Sequence, residues 1–177
     1  YLGVGHLFDG LDHILFIFGL LFCISGLVNI IKTITAFTIA HSITLGLSVF
    51  NIISLPQATV EALIALTIVY LALEISKSNL KLKTPWMMAF GFGLLHGLGF
   101  ASALMDIGIA NNQMFLSLLF FNIGIELAQI VLIPIPLFFI YLSKRFDLSN
   151  HLKILTSYSI GGMGFYWFID RVIGMIQ

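Results

Sequence analysis

Long apolar runs alternate with short polar breaks along the whole chain. The runs fall near 8–30, 35–54, 59–76, 86–107, 114–142 and 153–174, each close to the roughly 20 residues an α-helix needs to cross a bilayer core. The breaks are Lys32 with Thr33, SLPQA around Pro56, KSNLKLKTP from Lys77 to Pro85, DIGIANNQ from Asp106 and SKRFDLSN from Ser143. None has room for a second fold. The pattern therefore predicts an all-α polytopic membrane helix bundle, a single transmembrane domain over 1–177 with about six transmembrane helices. Five spans are the alternative, with residues 1–30 partly re-entrant, because a helix starting at Gly3 carries four ionisable groups into lipid.

Composition agrees with the pattern: 59% of residues are hydrophobic and 9% charged, against about 25% charged in soluble domains, and the mean hydropathy is +1.08. The formal net charge of zero gives no pull toward nucleic acid. Lys32 is assigned to the first loop, Lys77, Lys81 and Lys83 to the third, and Lys144, Arg145 and Lys153 to the fifth. By the positive-inside rule these loops are cytoplasmic and both termini outside, with Arg171 as the exception. The only cysteine, Cys23, forms no intrachain disulfide. The first residue is Tyr1 and no cleavage site is visible, so a signal sequence is expected to have been removed or left out.

Ionisable groups inside spans cost roughly 2.5–3.5 kcal/mol each on insertion scales, so they face the bundle interior and act there. On the first helix His6, Asp9 and His13 follow i, i+3, i+7 spacing and share one face, with Asp12 about a third of a turn aside. FTIAHSITLGLS aligns Thr38, His41, Thr44 and Ser48 on the second span. GFGLLHGLGFA carries His96 on the fourth, and FNIGIELAQ aligns Asn122, Glu126 and Gln129 on the fifth. If these faces converge, several imidazoles and one or two carboxylates meet at one buried point. That donor set suits nickel, cobalt, zinc or copper better than magnesium or calcium.

Each group also has a plainer reading. A lone His41 or His96 can simply hydrogen-bond a neighbouring helix, and Glu126 can be protonated and bonded locally. Glu74 and Asp170 lie near helix ends, Glu61 suits a helix N-terminus, and His151 reads as a solvated loop residue. Coincident depth on four spans is what these readings leave unexplained. Gly93 and Gly97 form GxxxG beside His96, and Ser157 with Gly161 repeats the small-residue spacing, both predicting close helix packing. Pro134 and Pro136 predict a kink below Glu126.

HxxxGxDH at His6, Gly10, Asp12 and His13, then FTIAHSITL (37–45), GLLHGLGFA (93–101) and FNIGIELAQ (121–129), resembles the HupE/UreJ family of small bacterial membrane proteins, its second branch above all. The likeness runs over nearly the whole chain, motif after motif in the same order. It implies a multi-pass protein of the bacterial inner (cytoplasmic) membrane and a nickel or cobalt permease or facilitator. It marks His6, Asp12, His13, His96 and Glu126. In the better-known branch a Pro often follows the first His, where this chain has Leu7.

Residues and resemblance together give a divalent transition-metal permease with His6, Asp12, His13, His41, His96 and Glu126 as metal ligands. Asp9, Thr44, Asn122 and Gln129 support them, and Gly93 and Gly97 pack the helices. The metal is nickel or cobalt, with zinc or copper as options. The lipid bilayer and the metal ion are the expected partners, a homo-oligomer is allowed, and no nucleic acid is expected. No GxxxxGK[ST] nucleotide loop is present, so transport is passive or coupled to an ion gradient. The alternative from another class is an intramembrane zinc hydrolase in which three His and an Asp hold the metal and Glu126 is general base. A third reading, a metal sensor or chaperone partner, uses the same ligands.

Overall fold

A computed structural model describes residues 2–77, 84–100 and 114–176, and of Leu2 and Asp9 the backbone alone. Among these residues there are eight helices and no strand: α1 Leu2–Asp9, α2 Leu11–Phe22, α3 Leu27–Val49, α4 Gln57–Ser76, α5 Pro85–Gly99, α6 Met114–Leu132, α7 Pro134–Arg145 and α8 Ser149–Ile176. Three stretches, Leu27–Val49, Gln57–Ser76 and Met114–Arg145, are long and apolar enough to cross a membrane.

The N-terminal region departs from a continuous helix over 8–30. Gly10, at φ −85° and ψ 88°, leaves the helical region and separates α1 from α2. The His13 N–H, which would reach back to residue 9 in an unbroken helix, is taken by Asp12 Oδ1 at 2.9 Å. A side chain that captures a backbone donor in this way competes with the helix ladder. The second break lies at residues 23–26, where Gly26 adopts φ +89°, a conformation glycine tolerates and L side chains avoid. Lys32 and Thr33, taken as a loop from their polarity, instead sit on α3, and the Lys32 ammonium lies 4.6 Å from the centre of the Trp86 ring on α5. A lysine at a helix end can keep its head at the interface while its stem stays with the apolar helix. His151, read as a loop residue, is in the first turn of α8 and exposed.

Small residues set the closest helix approaches. The α-carbon faces of Gly93 and Gly97 on α5 lie against Phe37 O and against His41 O and Thr44 Oγ1 on α3, leaving no room for a methyl group. On α8, Ser157 Oγ donates to Ala72 O of α4 at 2.7 Å. A Cβ on Gly161 would stand 3.0 Å from the Ala72 methyl, and one on Gly164 would stand 3.1 Å from Ala65 O. On α1, Gly3 sits on the Phe121 carbonyl of α6. The helix is interrupted at Ile133, between α6 and α7, next to the prolines for which a kink is expected. Ile133 N still reaches Gln129 O and Leu137 N reaches Ile133 O, while Pro134 and Pro136 have no N–H to give.

Phe16, Phe37, Leu45, Ile68, Leu71 and Ile125 fill the interior. Val28, Phe115, Phe120, Val131, Phe138 and Tyr158 face outward and are exposed. An apolar exterior of this extent would drive association in water and is the surface that lipid solvates. Membrane association thus follows from the helices themselves.

Candidate metal centre

Four elements bring their histidines together: α1 with His6, α2 with His13, α3 with His41 and α5 with His96. The ring centres of His6 and His13 are 4.7 Å apart, those of His13 and His96 4.9 Å, and those of His13 and His41 6.0 Å. Two groups have ligand atoms all within 4.8 Å of one another, His6 with His13 and His41, and Asp12 with His13 and His96. His13 is common to both. His13, His41 and His96 are buried, exposed by 4%, 0% and 1%.

Hydrogen bonds fix which nitrogen of three rings is bare. Asp12 Oδ1 can only accept when ionised and lies 3.0 Å from His13 Nδ1, so the hydrogen sits on Nδ1 and the lone pair on Nε2. Asn122 Nδ2 donates to Leu118 O at 2.8 Å, which aims its Oδ1 at His41 Nδ1, 3.3 Å away. His41 therefore donates through Nδ1 and keeps its lone pair on Nε2. Thr67 Oγ1 donates to Ile64 O at 2.6 Å and stands 3.4 Å from His96 Nε2. That oxygen accepts from Nε2–H, and the lone pair of His96 is on Nδ1.

The atoms left over by this arrangement, His13 Nε2, His41 Nε2 and His96 Nδ1, are buried with no hydrogen-bond partner among the described residues, and so is His6 Nε2. Leaving a buried polar atom unpaired costs about 1–3 kcal/mol. Four bare imidazole acceptors close together are a donor set that a divalent transition-metal ion could satisfy. An imidazole whose other nitrogen donates to a carboxylate or carbonyl is the usual form of a metal-binding histidine.

A cavity of about 320 Å³ reaches the cluster from one end of the bundle. His6, Asp12, His13 and His96 line it together with Glu61 of α4 and Trp167 and Arg171 of α8, and the partly exposed Arg171 marks its mouth. Phe100 covers His6, with ring centres 3.7 Å apart.

A family model described as HupE / UreJ protein matches residues 1–171. The chain belongs to the HupE/UreJ family. No curated protein and no solved structure matches it.

Within this family member the two ligand groups join His6, Asp12, His13, His41 and His96 and do not include Glu126. Glu126 is half-buried on α6 and its Oε1 accepts from Thr35 Oγ1 at 2.9 Å. The expectation that His6 and His13 share one helical face with Asp12 turned aside is corrected by the break at Gly10. The rings meet across two helices, and Asp12 joins His13 directly. A Cβ on Gly10 would stand 2.9 Å from His13 Nδ1 and 3.0 Å from Asp12 Oδ1, which explains a glycine inside HxxxGxDH. The Asp9 side chain lies outside the described residues. Asn122 holds His41, and Gln129 Oε1 accepts from Thr38 Oγ1 at 3.2 Å. Thr44 bonds back to Ala40 O and borders Gly97. Thr67 and the Glu61–Arg171 pair were not among the expected site residues. Thr67 is a single hydroxyl in an apolar helix, and Glu61 and Arg171 are too far apart in sequence for any local pattern to join them.

Proposed function

We propose that this HupE/UreJ protein is a permease for a divalent transition-metal cation, nickel or cobalt, and that His6, Asp12, His13, His41 and His96 form its intramembrane binding site. One observation carries the reading: four histidines, each with a buried nitrogen that has no hydrogen-bond partner among the described residues, form with Asp12 two overlapping ligand groups that share His13, and a cavity reaches them. Neutral imidazoles favour late first-row divalent metals over magnesium or calcium. The family's association with nickel and cobalt supports the choice of cargo. A carrier must release as well as bind, and two overlapping ligand groups sharing His13 provide more than one position for an ion. Glu126, with Thr35, Thr38 and Gln129, forms a further polar patch between α3 and α6, which we assign to the onward path.

The orientation follows from the two ends of the bundle. Lys32 lies over Trp86 at the start of α5, and Lys153 of α8 reaches the carbonyl of Lys77 at the end of α4. The cavity mouth is at the opposite ends of α4 and α8. The basic end is assigned to the cytoplasm and the mouth to the outside. Six crossings with both termini outside complete this topology. The hydrolase alternative needs Glu126 beside the metal as general base, and its hydrogen bond to Thr35 gives that reading no support.

The test is flux. Protein reconstituted in liposomes should admit nickel or cobalt down a concentration gradient, and His13→Ala and His96→Ala should abolish the flux. A parent protein that moves neither metal and retains neither on purification would refute the proposal.

A further inference from the structure

The cavity mouth carries a charged arrangement that the metal-binding residues do not explain. Glu61 lies in the second turn of α4. Gln57 Nε2 donates to its Oε1 at 2.9 Å, and Arg171 Nε pairs with its Oε2. The same guanidinium turns Nη1 to Asp170 Oδ2 at 2.7 Å. Glu61 and Arg171 both line the cavity, and their side chains are 33% and 42% exposed. They share the cavity with Asp12, whose side chain is 32% exposed, and with the buried His13 and His96.

We propose that Glu61 is the first ligand of the incoming cation and that Arg171 is a tethered cation it must displace. This rests on the metal-permease reading. The geometry makes the exchange inexpensive. When Glu61 Oε2 turns to the divalent ion, Arg171 stays paired with Asp170, so no positive charge is stranded, while Gln57 keeps holding Oε1. Two carboxylates and one guanidinium leave the rim with a formal charge of −2 + 1 = −1, which draws cations in. The guanidinium meanwhile occupies the carboxylate against monovalent ions, which compete with it less well than a doubly charged ion. Arg171, the one basic residue outside the cytoplasmic set, thereby has a role that accounts for its position.

Stopped-flow cobalt binding to the full chain in nanodiscs, read by the visible absorption of histidine-bound cobalt, tests the inference. Glu61→Gln keeps the Gln57 contact within reach and lowers the rim charge to zero. It should slow association about tenfold and flatten its dependence on ionic strength. Arg171→Gln raises the rim to −2 and should speed association several-fold with a steeper salt dependence. Both should reach the parental spectrum at saturating cobalt. An ion pair that only braces α4 against α8 would make both variants err in the same direction, and that result, or parental rates in both, overturns the gate. A parent protein that never develops the histidine–cobalt absorption overturns the metal reading and the gate with it.

Discussion

Asp12 and His13 are neighbours in the chain, yet the Asp12 carboxylate reaches both the backbone N–H and the ring Nδ1 of His13, at 2.9 and 3.0 Å. One carboxylate oxygen thus holds a first-turn N–H of α2 and sets the tautomer of the residue shared by both ligand groups. Asp12→Asn should keep His13 in place but weaken its basicity, lowering cobalt affinity about 10- to 100-fold. His13→Ala removes the shared ligand and should lower it further. His151→Ala, at an exposed position, should match the parent in the same titration.

Protonation and metal compete for the same lone pairs. A proton on a ligand nitrogen excludes the metal, so nickel or cobalt affinity should fall once the medium is acid enough to protonate the site, with protons released on binding in that range. Calorimetric titration in buffers of different ionisation enthalpy measures the number released. Affinity that does not fall at any acid pH at which the protein stays folded would remove the histidines from the ligand set.

Gly97 bears on both packing and site. A Cβ there would strike His41 O and Thr44 Oγ1, so Gly97→Ala should push α5 from α3 and cost about 1–3 kcal/mol of stability. Because His96 is the adjacent residue, the same substitution should weaken metal binding. Gly91→Ala, where a Cβ meets nothing within 4 Å, should leave both the thermal transition in detergent and the cobalt titration unchanged.

Topology has its own check. Cysteines placed at Asn79 and Asn112 should be labelled by an impermeant reagent from the cytoplasmic side and from the outside respectively, since seven of the eight basic residues are assigned to the cytoplasmic end. Labelling of position 79 from outside would reverse the bundle.

Glu126→Gln separates conduction from capture. With the carboxylate held by Thr35 and outside the two ligand groups, equilibrium cobalt binding should change little while liposome flux slows. Binding lost along with flux would return Glu126 to the histidine site.

The helical class, the membrane setting and the histidines were legible because hydrophobic length and intramembrane polarity are properties of single segments. The packing role of Gly93 and Gly97 was equally local, since the GxxxG spacing is complete within α5. The break at Gly10 was not legible from periodicity, because the spacing of His6, Asp9 and His13 fits an unbroken helix as well. What decides it is a side chain, Asp12, competing for a backbone donor. Lys32 misled in the opposite sense, its charge suggesting a loop where the stem of a long side chain stays with its helix. The partners of the rings, Thr67 for His96 and Asn122 for His41, depend on which helices touch, and only tertiary structure supplies that.

The ligands are distributed over α1, α2, α3 and α5, and the groups that orient them extend to α4 and α6. No single helix therefore owns the site. Interhelical shifts of about 1–2 Å are ordinary in proteins that switch, and a slide of that size would change how many nitrogens an ion meets at once. In such a design coordination number is a readout of bundle geometry. If the proposed site holds an ion, moving helices would loosen that hold with no change of protonation and no fuel molecule.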